Sequence, residues 1–295
     1  MSIINTKNEM IPRKEIERKA KEYNVSRSTI DKDWVLSHFI DAIFSVEKCK
    51  RKLIFKGGTC LRKCYFENFR FSEDLDFTSV DSEFELDESL LGEIIEIVAE
   101  RTEIPLHLER LTQLKFNDIP TGFAAIVKFW GADHSKNQAL PDSKRWTSSI
   151  KIEIIQYEKM IFPTIMCPVF HEYSDSHSLI VDNIPCYDLR EVMSEKIRAL
   201  IQRSYTAPRD YYDIWYLAKN VDDFDWQSIV SAFHKKMKFK NLEFTGLNQL
   251  INSENDKMIQ AAWVNSLEHQ INQKSLPNYS TVKEDLTKLF ERIFK

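Results

Sequence analysis

Leu53-Ile54-Phe55-Lys56-Gly57-Gly58-Thr59, followed by Phe71-Ser72-Glu73-Asp74-Leu75-Asp76-Phe77, is the stretch on which the fold turns. A short apolar run ends at a glycine pair, and a helical pattern over Thr59–Phe66 begins there. That order predicts a strand, a tight turn and a helix. Only 6 of the 295 residues are glycine, and at that frequency an adjacent pair arises by chance about 0.1 times. Such a turn lets a ligand approach the backbone and presents N–H groups at a helix start, which suits a phosphate; a tight turn without a ligand reads the same way. Asp74–Phe77 alternates carboxylate and apolar side chains, so Asp74 and Asp76 share one face of a strand while Leu75 and Phe77 enter the core. Neighbouring carboxylates repel unless a cation lies between them, and hard Mg²⁺ suits oxygen donors. Two such ions activate an attacking oxygen and stabilise a leaving pyrophosphate. The spacing alone is weak, because Asp223-Phe224-Asp225 repeats it without a glycine turn and reads as a loop and helix start.

Asp33–Val46 carries Trp34, Phe39, Ile43 and Phe44 at helical spacing, and Leu90–Arg101 is a second helix. Phe123–Trp130 and Ser149–Tyr157 are β-branched and aromatic, as strands require, with a loop through Gly131, Asp133, Asn137, Pro141 and Asp142 between them. Ile150, Ile152 and Ile154 take one face of the latter strand and leave Glu153 on the other, a candidate third metal ligand or base; a solvated glutamate fits the same pattern. From Asp188 the period turns helical. Asp188-x-x-Glu191 reads as a capping box, Pro208 starts a further helix, and helical patterns continue near Trp226–Phe239, Asp256–Gln270 and Val282–Phe294. We therefore expect an α+β protein: a mixed sheet with flanking helices over residues 1–185, including an N-terminal helical segment, then a helical bundle over 186–295.

Composition narrows the class. With 43% hydrophobic and 29% charged residues the chain is an ordinary globular protein. No apolar run is long enough to span a bilayer, and the N-terminus, with Lys7, Glu9, Arg13, Lys14, Glu15 and Glu17, lacks the apolar stretch of a signal peptide. Five cysteines in a chain this size point to a reducing, cytoplasmic setting. The first 72 residues hold 16 Lys and Arg against 9 Asp and Glu, although the whole chain carries −4. A basic end attracts polyanions, and an acidic remainder can face a basic partner; patchy solvated charge fits equally.

Lys196 stands out on the helix after Asp188. At about 100° per residue it falls between Met193 and Leu200, inside the apolar stripe, where an unpaired ammonium is expensive. Either it pairs with Asp210 or Asp213 on the following helix, or it faces an open cleft and awaits a phosphate. Arg203 and Arg209 could also bind phosphate, or serve as surface charge. Cys60 and Cys64 are one helical turn apart, yet no further Cys or His pair completes a tetrahedral set, and the seven histidines show no metal spacing. His234, Lys235, Lys236, Lys238 and Lys240 form either an RNA-binding stretch or the wet face of a helix built on Ile229, Phe233 and Met237.

Phe55-Lys56-Gly57-Gly58-Thr59 with Phe71-Ser72-Glu73-Asp74-Leu75-Asp76-Phe77 resembles the first motif of the nucleotidyltransferase-like AbiEii/AbiGii toxin family. Ser194-Glu195-Lys196-Ile197-Arg198-Ala199-Leu200 and Arg209-Asp210-Tyr211-Tyr212-Asp213-Ile214-Trp215 are similar to its later motifs, and Lys32-Asp33-Trp34-Val35-Leu36 to its usual N-terminal segment. The likeness runs from about residue 30 to 220. It implies a DNA polymerase β-like nucleotidyltransferase core with a helical domain, transferring a nucleotide from an NTP to RNA, notably the 3′ end of tRNA. It also implies a cognate antitoxin within an abortive-infection pair. On this reading Asp74 and Asp76 hold two Mg²⁺ with Glu153, where the family pattern carries Asp. Lys56, Gly57, Gly58, Thr59 and Ser72 hold the triphosphate, Lys196 neutralises it, and Asp213 orients Lys196 or assists catalysis. The gap between the glycine pair and the aspartates is longer than is usual for nucleotidyltransferases. Transfer to a protein hydroxyl or small molecule, and nucleotide binding without turnover, are the competing readings.

Overall fold

The computed structural model describes residues 11–134, 139–203, 207–251, 253–272 and 274–295. Lys7, Glu9 and Asn137, named above, lie outside them. In chain order the elements are α1 (Arg13–Tyr23), α2 (Arg27–Ser45), α3 (Glu47–Lys50), β1 (Leu53–Lys56), α4 (Gly57–Cys60), β2 (Asp74–Ser79), α5 (Glu88–Thr102), β3 (Leu106–Phe116), β4 (Ile119–Phe129), β5 (Ser149–Ile155), β6 (Ile165–Pro168) and β7 (Asn183–Cys186). The helices α6 (Leu189–Gln202), α7 (Pro208–Asn220), α8 (Trp226–Phe239), α9 (Ser253–Leu267) and α10 (Tyr279–Ile293) follow. No helix among the described residues is long and apolar enough to cross a membrane.

The strands form one mixed sheet in the order β3-β4-β5-β2-β1-β7-β6. β2 runs antiparallel to β1 and parallel to β5, so the aspartate strand is central, the place for a strand with one fully buried face. Phe55, Leu75, Phe77, Ile152 and Ile154 fill that face, and α2 and α5 supply Trp34, Phe39, Ile43, Leu91, Ile94 and Val98 to the same core. Ser26 caps α2, its hydroxyl accepting from the Thr29 N–H, so the helix starts well before Asp33. The expected helix after the glycines is instead one turn of α4 followed by a π-helical turn over Leu61–Tyr65.

β3, β6 and β7 were not anticipated. β3 and β4 form a hairpin whose tip, Asn117 and Asp118, has φ of 48° and 63°, the two positive values of a type I′ turn.

The chain divides into two compact units, one holding residues up to Glu158 with Ile165–Cys186, the other Lys159–Thr164 with Tyr187–Lys295. In the helical unit Asp188 caps α6 through the Arg190 N–H. Glu191 does not close the expected capping box. It is buried, accepts from the Ile161 and Phe162 N–H groups, and pairs with Lys236 at 2.5 Å. Lys236 is 0% exposed, which corrects both readings of the basic stretch for that residue: it is neither wet nor open to RNA. His234, Lys235 and Lys238 are exposed.

Candidate functional site

Four side chains line up across the sheet on the face opposite the core. Lys56 on β1 is in register with Asp76 on β2, Asp76 with Glu153 on β5, and Glu153 with Ala124 on β4. One step along, Asp74 is in register with Lys151. Directly opposed residues in a sheet share a face, so three carboxylates and two ammonium groups meet within two rungs. Burial pushes the half-buried Asp76 carboxyl up to about 6; Asp74 and Glu153 add to the rise, and Lys56 and Lys151 oppose it. A carboxylate held against its own ionisation by burial and by neighbouring carboxylates is suited to take a cation.

The glycine pair fits this row closely. Gly57 has φ +81°, open to glycine and strained for other residues, and a Cβ there would lie 2.3 Å from Asp76 Oδ2. A Cβ on Gly58 would meet Arg70 Nη2 at 2.8 Å and Ser72 Oγ at 3.0 Å. Both glycines are therefore small because the carboxylate, the guanidinium and the serine hydroxyl come against the turn. The Thr59 hydroxyl donates to the Asp74 carbonyl, tying the turn to β2. Thr59 is 1% exposed, so its side chain positions the site rather than lining it. Arg70 was not singled out in the sequence; the signal was its place two residues before Ser72.

A buried network fixes the turn from behind. Asp33 on α2 pairs with Arg62 at 3.1 Å and Lys63 at 2.5 Å, and accepts from the Tyr173 hydroxyl. Burial alone would raise the Asp33 carboxyl, but Lys63 and Arg62 bring it down to about 2. Arg62 also donates to the Glu67 and Phe69 carbonyls and lies 3.6 Å from the Phe71 ring centroid. The Lys32–Leu36 segment thus reaches the loop that delivers Ser72.

Glu153 stands beside Asp76 as expected but is ion-paired with Lys151. Asp74, Asp76 and Glu153 are not among the sets of three metal-type donors whose ligand atoms all lie within 4.8 Å of one another. The described residues hold two such sets: Cys60, Cys64 and Cys186, and His38, His171 and Asp175. Both correct the expectation that the cysteines and histidines make no metal-like grouping. In the second, Asp175 engages both imidazole Nε2 atoms and accepts from Trp34 Nε1, so its oxygens are already committed.

Lys196 and Asp213 lie in the helical unit, where they meet each other. Lys196 Nζ is 2.6 Å from Asp213 Oδ2 and 3.3 Å from Asp210 Oδ1, and Arg203 reaches Asp210 at 2.9 Å. This corrects the picture of Lys196 as an uncompensated cation: the ion-pair alternative is the one formed.

The fold is that of a nucleotidyltransferase toxin. It matches the structure of MenT4, a nucleotidyltransferase toxin from Mycobacterium tuberculosis H37Rv, with a TM-score of 0.63 at 18% identity, over 97% of this chain and 90% of that one. The chain belongs to the family described as nucleotidyl transferase AbiEii toxin of type IV toxin–antitoxin systems, whose model matches residues 38–288. A comparison with curated proteins finds no match.

Proposed function

We propose that this chain transfers a nucleotide from an NTP to RNA, with the 3′ end of tRNA as the favoured acceptor, and that an antitoxin restrains it. The observation that carries the reading is Asp76: a carboxylate packed under a glycine turn and made reluctant to ionise by burial, with Asp74 and Glu153 adding to the effect. Its donor set is all carboxylate oxygen, which suits Mg²⁺ rather than a soft metal. Asp74 and Asp76 would hold the metal, with Glu153 as a further oxygen donor once released from Lys151. Bound there, Mg²⁺ supplies charge neutralisation at the transferring phosphoryl group and its leaving pyrophosphate.

The protein's own groups do the rest. The backbone of Gly57 and Gly58 lets a triphosphate approach, Ser72 offers a hydroxyl, and Lys56 and Arg70 offset its charge. Thr59 and Asp33 keep the turn in place. Lys196 and Asp213 enter the proposal as an ion pair of the helical unit.

Incubating the protein with each labelled NTP, Mg²⁺ and total RNA tests the proposal. Label on RNA is the expected result. Label on protein or a small molecule would move the acceptor, and binding without label transfer would leave a nucleotide-binding module.

A further inference from the structure

Three of the five cysteines come together, and a fourth adjoins them. Cys60 lies at the end of α4, Cys64 in the π-helical turn, Cys186 at the end of β7, and all their Sγ atoms are within 4.8 Å of one another. Cys167 on β6 lies outside that set of three and adjoins it through a thiol hydrogen bond with Cys186. All four are buried at 4% exposure or less, and none is in a disulfide. A tetrahedral metal with about 2.3 Å bonds to sulfur spaces its ligands by about 3.8 Å, which the set of three already approaches and which Cys167, bonded to Cys186, would complete. The Cys60-x₃-Cys64 spacing also falls in the range that zinc sites use.

Packing alone does not call for this. A buried thiol packs as a small hydrophobe, and nothing in that role draws four cysteines from four separate elements together. A disulfide would use two of them. A tetrahedral thiolate centre uses all four.

The Tyr65 hydroxyl hydrogen-bonds with Cys167, the outer-layer donor that commonly orients a metal-bound sulfur.

We infer that Cys60, Cys64, Cys167 and Cys186 form a tetrahedral site for a soft divalent metal, zinc in preference to Mg²⁺. Binding releases the thiol protons to solvent and needs no oxidant. The site has a structural consequence for the turn. Cys60 and Cys64 follow the glycine pair directly, and Cys186 sits in register with Phe55 on β1, so the metal ties both sides of the turn to the β6–β7 ribbon. The inference stands apart from the nucleotidyl-transfer reading, which rests on oxygen ligands at Asp74 and Asp76.

The test is a cobalt titration of the full chain, reduced and stripped of metal. We expect one tightly bound Co²⁺ per chain with the visible bands of tetrahedral cobalt and a strong near-ultraviolet sulfur-to-cobalt charge-transfer band, both lost on adding Zn²⁺. The charge-transfer intensity per cobalt reports the thiolate count, expected to be four, and needs no variant. Zn²⁺ should raise the melting temperature in proportion to ln(1 + [L]/Kd). Cys186→Ser should weaken binding and lower the charge-transfer intensity. Cys49→Ser, at the buried cysteine outside the group, and Asp76→Asn should leave the bands intact. Cobalt bound without a sulfur charge-transfer band, or with the band unchanged in Cys186→Ser, overturns the inference. So does loss of the band in Asp76→Asn, which would place the metal among carboxylates.

Discussion

Lys196→Met keeps the side-chain stem and removes the charge, and its effect can be worked from the ion pair it breaks. Asp213 is 0% exposed and Asp210 4%, and both face the Lys196 ammonium at 2.6 and 3.3 Å. Asp210 keeps Arg203, and Asp213 loses the Lys196 ammonium. Removing one partner of a buried pair costs about 3–5 kcal/mol, because the carboxylate left behind stays desolvated. For a unit of this size that is a fall in Tm of roughly 10–20 °C. Replacing both partners removes the carboxylate together with its ammonium, so Lys196→Met with Asp213→Asn should recover most of the loss. Melting of the wild type, the single and the double variant by circular dichroism at neutral pH reads this directly. A single variant melting within about 2 °C of wild type, or a double variant no better than the single, would refute the reasoning and return Lys196 to the role of a free cation.

Gly57→Ala meets both a left-handed φ and the Asp76 carboxylate at 2.3 Å. We expect a loss of at least about 1–2 kcal/mol from the backbone alone and a larger loss of transfer activity as Asp76 is pushed aside; denaturant melts and single-turnover assays separate the two. The pH dependence follows from Asp76, whose carboxyl lies at about 6 in the folded protein against 3.8 ordinarily. Between those values the folded state binds more protons than the unfolded, so this group's contribution makes stability fall as pH rises through that window. Asp76→Asn should flatten that part of a stability-against-pH curve. Metal needs the ionised form, so transfer activity and apparent Mg²⁺ affinity should climb between about pH 5 and 7. Glu153→Gln removes a charge that helps raise Asp76, and the acid limb of the pH–rate profile should move to lower pH. An unmoved limb would separate Glu153 from the site.

Much of this was legible in local pattern. The alternation at Asp74–Phe77 set the strand and its carboxylate face, and the rare glycine pair marked the turn. Helices α5, α7 and α8 followed from apolar spacing, Pro208 and the Asp225 cap. What was not legible depends on pairing between distant residues. β6 and β7 are four residues each and short on periodic signal. Cys186 stands far from Cys60 in sequence, so no local spacing announces their meeting. Lys196 was placed correctly inside an apolar stripe, but the choice between a carboxylate and a phosphate partner rests on how α6 meets α7. Lys236 looked like one of several wet lysines, and its burial depends on Glu191, on another helix.

The central claim is tested most directly by transfer of label from α-³²P-labelled NTP to RNA by wild type and Asp76→Asn, each shown to be folded by its melt. Asp76→Asn is nearly isosteric and relieves a repulsion, so it should melt at or above the wild-type temperature near neutral pH. With Mg²⁺ present, wild type should label RNA, and the variant should lose at least about 100-fold in rate, as removal of a preorganised charge-stabilising group does. A folded Asp76→Asn that labels RNA at the wild-type rate would contradict the account.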